Sequence, residues 1–293
     1  MLELPWYVFA LAAAFIVAVS AVIEKKTLAV EDPLHFSSAT VVVGGVLSLP
    51  LLFFVSWTSL SFYEYAVLYV IASIGMLSFF LVARSMKVLE AGEVSALLAV
   101  TPAAVALGAY LLFREALTLS QIGAIGLIIL GLLVLEAPHL YAFVRRTAQG
   151  KHLMYVMATF LAVLTYTASS LLDRVALTTF SVDAISFIAL VQTMGMINFL
   201  ILGLLLRRHG QVSLKALRTS PWKVLTVALL LLCSRILHAQ AVSLAFVALA
   251  SALKRTGAIF TIILSGTFLH ETGIVRKLAA ASLIVIGAIL LVL

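Results

Sequence analysis

The sequence predicts an all-α membrane protein with ten transmembrane helices, arranged as two inverted five-helix repeats around a central cavity. Composition is the first observation behind this prediction, since 64% of the 293 residues are hydrophobic and only 11% are charged. Such a chain is too apolar for an ordinary soluble domain. The other two observations are a succession of membrane-length apolar segments and a long internal repeat. Helices are expected because backbone polar groups inside lipid must find partners within their own segment.

Ten apolar segments are long enough to be membrane spans, because a helix needs about 20 residues to cross the hydrocarbon core. Pro102 is expected to kink the fourth of them. We divide the chain into a first repeat at residues 1–140, a linker at 141–152 and a second repeat at 153–293. The ten predicted spans are 5–23, 35–55, 65–82, 93–113, 121–135, 154–172, 182–206, 224–244, 251–271 and 274–293.

The internal repeat is strongest between two 21-residue segments, SALLAVTPAAVALGAYLLFRE at 95–115 and SALKRTGAIFTIILSGTFLHE at 251–271. Their offset is 251 − 95 = 156, and Gly131 and Gly287 share the same offset. Each half holds five spans, an odd number, so the second copy is expected to enter the membrane from the opposite side. Carriers with inverted repeats bind their substrates near the membrane midplane, between the two copies.

Lys254 and Arg255 lie inside the second of these segments, where the first has Leu98 and Ala99. Charges within hydrocarbon are costly unless they face a partner or a wet cavity, so this pair is a functional-site hypothesis. In one interpretation it binds an anionic group, with arginine as a bidentate fork and lysine as a point charge. In the other it is a structural pair that an acid neutralises inside the bundle. The candidate acids are Glu24, Asp173 and Glu93.

Arg235 and His238 are three residues apart in the eighth span and therefore share a helix face. Arg235 is too deep in the span for easy snorkelling, which favours a position facing the cavity. His238 is a candidate titrating group for proton coupling, or else a hydrogen-bonded packing residue. The other members of the predicted substrate-binding set are polar residues of the same span or of the repeat segments: Gln240, Ser251 and Ser95.

Charged residues at the ends of spans form a second group of candidates. An acid–base dipeptide ends the first span of each half: Glu24-Lys25 and Asp173-Arg174. These dipeptides are either ion pairs that gate the cavity or interfacial anchors, since charges that flank spans are expected in any case. Glu93 joins them as a charge-pairing candidate. Glu115, at the end of the fourth span, is expected to cap the N-terminus of the next helix.

Two runs, Ser95 to Gly131 and Ser251 to Gly287, resemble the EamA domain of the drug/metabolite transporter superfamily. The resemblance covers both halves and implies ten helices, two inverted five-helix repeats and a cavity that opens to one side at a time. The Lys254-Arg255 pair also resembles the lysine–arginine pair in the ninth helix of the sugar-phosphate/phosphate translocator branch, where that pair holds the phosphate group.

We therefore expect a secondary active transporter that moves a small polar metabolite by alternating access. The substrate is expected to carry an anionic group, as in an amino acid, an organic acid or a phosphate ester. A coupled proton or an exchanged metabolite is the expected second partner. The alternatives are a non-transporting membrane scaffold or partner subunit, and a carrier of cationic or amphipathic compounds.

Several function classes find no support in the sequence. It contains no Walker loop, His-Glu-x-x-His, Cys-x-x-Cys or nucleophile elbow, so no enzyme activity, cofactor or metal site is predicted. The net charge of +7 is attributed to loops beside anionic lipid and not to a nucleic-acid partner. The predicted location is the cytoplasmic (inner) membrane. Ten spans suffice for a cavity within a monomer, and a dimer is left open.

Two arguments about orientation disagree. With the links between spans numbered from one, the odd links hold 14 of the 19 lysines and arginines, and the even links hold only Arg114 and Arg174. The positive-inside rule then puts the odd links in the cytosol and both termini outside. The family resemblance implies the reverse orientation.

Overall fold

The regular secondary structure of the protein is helical wherever it is described. The computed structural model describes residues 4–28, 30–55, 57, 60–85, 97–98, 100–146, 150–205, 214–257, 260, 264 and 274–292. Its helices are α1 (Trp6–Leu28), α2 (Pro33–Ser48), α3 (Phe62–Ser85), α4 (Thr101–Phe113), α5 (Leu119–Arg146), α6 (Gly150–Arg174), α7 (Ala184–Leu205), the short α8 (Ala216–Thr219), α9 (Pro221–Leu244), α10 (Val247–Arg255) and α11 (Ile274–Val292). A 3-10 segment, Leu49–Phe54, continues α2, and a π-helical turn, Val175–Thr179, continues α6.

Six helical segments of the described chain are long and apolar enough to cross a membrane. They are Trp6–Leu28, His35–Phe54, Phe62–Val82, Leu153–Thr179, Ala184–Ile201 and Pro221–Leu244. Two shorter apolar helices, Thr101–Phe113 and Leu119–Val134, accompany them. An all-helical, multi-pass membrane protein is thereby confirmed. The full count of ten spans and the inverted arrangement of the repeats stay predictions.

Polar side chains determine where three of the helices begin. Before α3, Glu64 Oε2 accepts hydrogen bonds from the backbone N–H of Ser61 at 2.6 Å and from its hydroxyl at 2.9 Å. Before α5, Thr118 and Gln121 form a similar reciprocal pair at 3.0 and 3.3 Å. Asp183 accepts from backbone N–H groups in the first turn of α7 at 3.1 and 2.9 Å. These caps satisfy N–H groups that have no partner within the helix.

Two helices differ from the predicted spans in ways that matter for the site. α1 continues to Leu28, so Glu24 and Lys25 lie within the helix and not at its end. In the predicted fourth span, Leu97 and Leu98 are helical, Val100 forms a turn, and α4 begins at Thr101, so the span is interrupted directly before Pro102, which lies in the first turn of α4. Proline is tolerated there, since first-turn N–H groups have no intrahelical acceptor to lose. α5 and α6 also extend into the 141–152 segment that was predicted to join the repeats.

Small side chains allow α1 and α9 to pack closely. Ala10, Ala13, Ala14 and Ala18 expose at most 1% of their surfaces. The hydroxyl of Ser234 on α9 donates to the carbonyl oxygen of Ala13 at 3.0 Å. Within a membrane, helices associate through such close backbone approach and interhelical hydrogen bonds. This packing fixes the helix that carries Arg235 and His238 against α1.

α5 and α11 cross at two glycines in a reciprocal way. A Cβ added at Gly131 would lie 2.9 Å from the carbonyl oxygen of Ala280, and one at Gly287 would lie 2.8 Å from that of Ala124. The four positions form two pairs with the repeat offset, since 287 − 131 = 156 and 280 − 124 = 156. Gly131 therefore contacts Ala280, and Gly287 contacts Ala124. In the repeat, Gly131 is equivalent to Gly287 and Ala124 is equivalent to Ala280, so the two contacts are equivalent as well. Reciprocal contacts of this kind are what a two-fold relation produces.

Contacts between the links show which of them lie at the same end of the bundle. At one end, the hydroxyl of Ser220 in the seventh link donates to Glu31 Oε1 in the first link at 2.9 Å. At the other, the rings of Tyr63 and Phe180, beside the second and sixth links, meet edge to face at 5.9 Å. We call these the odd-link end and the even-link end.

Candidate functional site

A short break separates α9 from α10 at the even-link end. α9 ends at Leu244, Ala245 is extended, and Phe246 is the N-cap of α10. Arg174, the last residue of α6, binds the end of α9. Its Nη1 donates to the carbonyl oxygens of Val242 at 2.9 Å and Ala245 at 3.2 Å. A cation here satisfies terminal carbonyls and faces the negative end of the helix dipole.

Glu115 completes this contact from the connector between α4 and α5. Arg174 Nε donates to Glu115 Oε1 at 3.0 Å, and the two side chains are 19% and 5% exposed. The carboxylate also interacts with the backbone N–H of Val247 at the start of α10, although Oε2 has no regular hydrogen bond in the described structure. Burial raises the pKa of Glu115, and Arg174 opposes that shift. The predicted cap of α5 by Glu115 is wrong, because Thr118 and Gln121 make that cap.

We call Glu115 and Arg174, together with the α9–α10 break that they bind, the clamp. The clamp joins the first half of the chain to the second, because Glu115 belongs to residues 1–140 and Arg174 to residues 153–293. It also fixes the start of α10. The position of every side chain along that helix follows from where the helix begins.

Lys254 and Arg255 occupy the last turn of α10, at the opposite end from the clamp. The described helix stops at Arg255, and Thr256 caps it through a 2.7 Å hydrogen bond from Oγ1 to the carbonyl oxygen of Leu253. At about 1.5 Å per residue, Lys254 lies roughly 10 Å from Val247. This distance is about a third of the thickness of a hydrocarbon core, which is about 30 Å. The ninth predicted span is thus interrupted at Thr256, directly after its two charges.

Charged side chains from α6, α9 and α10 come together in what we call the central charge cluster. Asp173 lies within electrostatic range of Arg235 and Lys254. Neither cation forms an ion pair with it within 4.0 Å. His238 is within range of Arg235, Lys254 and Arg255. The structure therefore gathers five of the predicted residues, separated in sequence by up to 82 positions (255 − 173), around one point.

Two further side chains border the cluster. Tyr166 on α6 lies within electrostatic range of Arg235, Arg255 and Glu24. Glu24 on α1 accepts a hydrogen bond at 2.9 Å from the hydroxyl of Ser20, one turn earlier. Glu24 therefore lies within α1, partly buried and within electrostatic range of Tyr166.

Gln192 on α7 is a site residue that the sequence reasoning missed. Its Oε1 accepts a hydrogen bond from Arg235 Nη1. The sequence did contain one indication of this role, because Gln192 is an amide inside an otherwise apolar helix. Polar groups within a span are expected to have a specific partner. The sequence offered no way to pair it with Arg235, because α7 and α9 meet only in the fold.

Several polar atoms of the cluster have no hydrogen-bond partner in the described part of the chain. The buried atoms without a partner are Asp173 Oδ1, His238 Nδ1 and Ser251 Oγ. Buried polar atoms are nearly always satisfied by protein or by water. The cation side chains are also partly accessible although they lie in the middle of the bundle. Within the described structure these polar atoms are therefore available for further hydrogen bonds.

The charge balance of the cluster is positive. Among the described side chains of the cluster and its border, Arg235, Lys254 and Arg255 supply three cations and Glu24 and Asp173 supply two carboxylates, so the formal charge of these residues is 3 − 2 = +1 with His238 neutral. The acids therefore do not neutralise the cations fully. A site with this balance and with separated, unpaired groups favours an anionic group that can approach more than one cation.

The remaining predicted residues are not linked to the cluster by described contacts. Gln240 is two positions beyond His238 on α9, about 200° around the helix. Lys25 lies within α1, with its side chain outside the described structure. Ser95 and Glu93 lie outside the described residues.

Comparison with known proteins gives one family and one fold. Residues 4–136 match the model of the EamA-like transporter family. No curated protein matches the chain. A crystal structure described only as "Crystal structure of protein" aligns with a TM-score of 0.75 and 14% identity, covering 97% of this chain and 94% of that one. At this identity the similarity establishes a shared fold over nearly the whole length.

Proposed function

We propose, from the match of residues 4–136 to the EamA-like transporter family, that the protein is a secondary active transporter of a small polar metabolite with an anionic group. Amino acids, organic acids and phosphate esters are the candidate substrates. Transport proceeds by alternating access between two inverted repeats in the cytoplasmic membrane, with a coupled proton or an exchanged metabolite. The net positive charge of the central charge cluster is the observation that carries this proposal.

Lys254 and Arg255 are the main anchors of the substrate's anionic group. Neither side chain has a hydrogen-bond partner among the described residues, and both are partly accessible. Arg235 and His238 contribute from α9, on the other side of the cluster. Desolvating several cations together is unfavourable unless an anion or water compensates them. The anion supplies this compensation when the substrate binds.

The other predicted residues keep supporting roles in this proposal. Ser251 has an unpartnered hydroxyl near the cations and is suited to donate to a bound anion. Asp173 competes with the substrate for Lys254 and Arg235, so the cations have a partial counter-charge when the site is empty. Three sets complete the proposal: the binding residues Gln240 and Ser95, the pairing residues Glu24 and Lys25, and the charge-pairing candidate Glu93.

The clamp is the gate at the even-link end in this mechanism. Arg174 was predicted to gate as a partner of its neighbour Asp173, but its ion pair is with Glu115 from the other half. A pair that joins the two halves has to break if they move apart at this end. The clamp therefore represents the state in which the even-link end is closed.

The first test is thermal stabilisation of the purified protein by a panel of small molecules. The panel contains citrate, glucose 6-phosphate, glutamate and choline. A ligand at 100 times its Kd stabilises the folded state by about 2.7 kcal/mol, which is readily detected as a rise in melting temperature. We expect at least one anionic member to raise it, and choline to have no effect.

Lys254→Ala is expected to abolish the stabilisation by the anion while leaving a folded protein. Lys223→Ala is the matched control, because Lys223 is exposed at the odd-link end and its loss changes the net charge equally. Uptake of the same anion into proteoliposomes then tests transport. Stabilisation by choline alone would overturn the anion proposal and favour the carrier of cations. No response to any member, together with no uptake, would favour the non-transporting scaffold.

A further inference from the structure

We propose that Gln192 is a positioning residue of the anion site: its neutral amide holds the Arg235 guanidinium beside the Lys254-Arg255 pair without cancelling its charge. The proposal rests on the proposed function, because it concerns how that site keeps its charge available. Gln192 is on α7 and Arg235 on α9, and these helices pack against each other. The contact is the hydrogen bond from Arg235 Nη1 to Gln192 Oε1.

Whether the partner of Arg235 is a neutral amide or a carboxylate decides whether the positive charge of the guanidinium is neutralised. A guanidinium carries five N–H donors, and an amide oxygen satisfies one of them while leaving the positive charge intact. A carboxylate at the same place would bind the fork in a bidentate way and neutralise it. Asp173 is the nearby acid, yet it forms no ion pair with Arg235 within 4.0 Å. Arg235 is therefore held by a neutral group, with donors left for an incoming anion.

α2 supports the amide from its other side. A Cβ added at Gly44 would lie 3.3 Å from Gln192 Nε2, so the glycine leaves just enough space for the amide against the α2 backbone. One residue further along α7, the hydroxyls of Thr193 and Ser48 lie 3.4 Å apart and hold the same helices together. Gln192 thus lies between the α2 backbone and Arg235, with its amide nitrogen toward Gly44 and its oxygen toward the guanidinium.

The experiment measures the apparent Kd of citrate and of glucose 6-phosphate from the concentration dependence of the melting temperature. Gln192→Glu is nearly isosteric, and we expect it to weaken anion binding at least tenfold because the new carboxylate neutralises Arg235. Gln192→Leu removes the acceptor and is expected to weaken binding severalfold. Thr193→Val is the matched control: it alters the neighbouring α2–α7 contact and is expected to leave the affinity unchanged.

A double-mutant cycle separates positioning from a general structural effect. In an Arg235→Gln background, Gln192→Leu is expected to cause no further loss of affinity, because the residue acts through Arg235. An additive loss, or wild-type affinity in Gln192→Glu, would overturn the proposal while Lys254→Ala still upheld the anion site. If Gln192→Glu fails to fold, the proposal is tested by the double-mutant cycle of Gln192→Leu with Arg235→Gln alone. If no anionic probe binds the wild-type protein, both the proposed function and this inference are overturned.

Discussion

Asp173 and Arg174 show how two adjacent residues acquire different roles. Consecutive residues on a helix point about 100° apart. Arg174 reaches the end of α9 and Glu115, whereas Asp173 faces Arg235 and Lys254 in the central charge cluster. The dipeptide is therefore not an ion pair with itself. One residue holds the clamp and the other contributes to the electrostatics of the candidate site.

Glu115→Gln is expected to lower the melting temperature in detergent. Removing one partner of a buried ion pair costs about 3–5 kcal/mol, because the other charge is left uncompensated. Arg174→Gln is expected to cost more, since it also removes the hydrogen bonds to Val242 and Ala245. Glu64→Gln is the control, because Glu64 caps α3 at an exposed position.

The same variant tests the gate. In a Cys233→Ser background, a cysteine at Phe246 is expected to react faster with a water-soluble thiol reagent when Glu115 is replaced by glutamine. An unchanged melting temperature would contradict the buried pair. An unchanged thiol reactivity would contradict the gate but not the pair.

At the scale of elements, α10 connects the clamp to the proposed binding residues Lys254 and Arg255. The helix begins where Glu115 and Arg174 bind the break and ends at Lys254-Arg255. A short rigid helix transmits a displacement at one end to the other. Opening of the clamp would therefore move the cation pair, which links the state of the gate to the geometry of the site.

The crossing of α5 and α11 depends on its two glycines. Gly131→Ala and Gly287→Ala each place a Cβ within 3 Å of a carbonyl oxygen, and overpacking of this kind costs about 1–3 kcal/mol. Gly123 and Gly126 on the same α5 have nothing within 4 Å of an added Cβ. Alanine at either is expected to be neutral or to stabilise by up to about 1 kcal/mol. Melting temperatures compare the four variants, and equal effects would contradict the close crossing.

The contact between the first and seventh links is expected to depend on pH. A hydrogen bond from Thr219, together with Ser220 and the charges of Lys215 and Lys223, holds the pKa of Glu31 below its ordinary value of 4.5. A depressed carboxyl pKa stabilises the folded state above the unfolded pKa, and this contribution is lost as the pH falls through the folded pKa.

The wild-type protein is therefore expected to melt at a higher temperature than Glu31→Gln at pH 7, with the difference disappearing below pH 4.5. Glu31 is partly exposed, so the difference is expected to be small and to shrink in high salt. A difference that persisted in acid would show that the contact does not depend on the carboxylate charge.

For the whole molecule, the exposed basic residues of the described chain lie mostly at the odd-link end. Arg174 was counted among the even-link cations, but it is committed to the clamp. Of the even-link basic residues only Arg114 is exposed. Lys26, Arg84, Lys215, Arg218 and Lys223 are exposed on the odd links. The positive-inside rule then favours an odd-link end in the cytosol, with the clamp on the outside.

Thiol labelling of intact cells tests this orientation. In a Cys233→Ser background, Lys223→Cys is expected to resist a membrane-impermeant maleimide until the cells are permeabilised. Thr179→Cys at the even-link end is expected to be labelled in intact cells. Both positions are exposed, so they form a matched pair. The opposite labelling pattern would favour the orientation that the family resemblance implies.

The sequence by itself determined the helical membrane class, the apolar segments and the positions of the costly charges. Composition and the cost of unpaired groups in lipid are local properties, so they can be read along the chain. They identified Lys254, Arg255, Arg235 and Asp173 as residues that are expected to need partners. They did not say which partner each would have.

Only the tertiary structure decided the pairings. Glu115 binds Arg174 across 59 positions and Gln192 binds Arg235 across 43, between helices whose proximity no local pattern records. Likewise the end of α10 at Arg255 and the placement of Pro102 in a first turn follow from how the broken helices are capped and packed. A charged residue inside a predicted span indicates that a partner is needed, and the packing of the helices decides which residue that partner is.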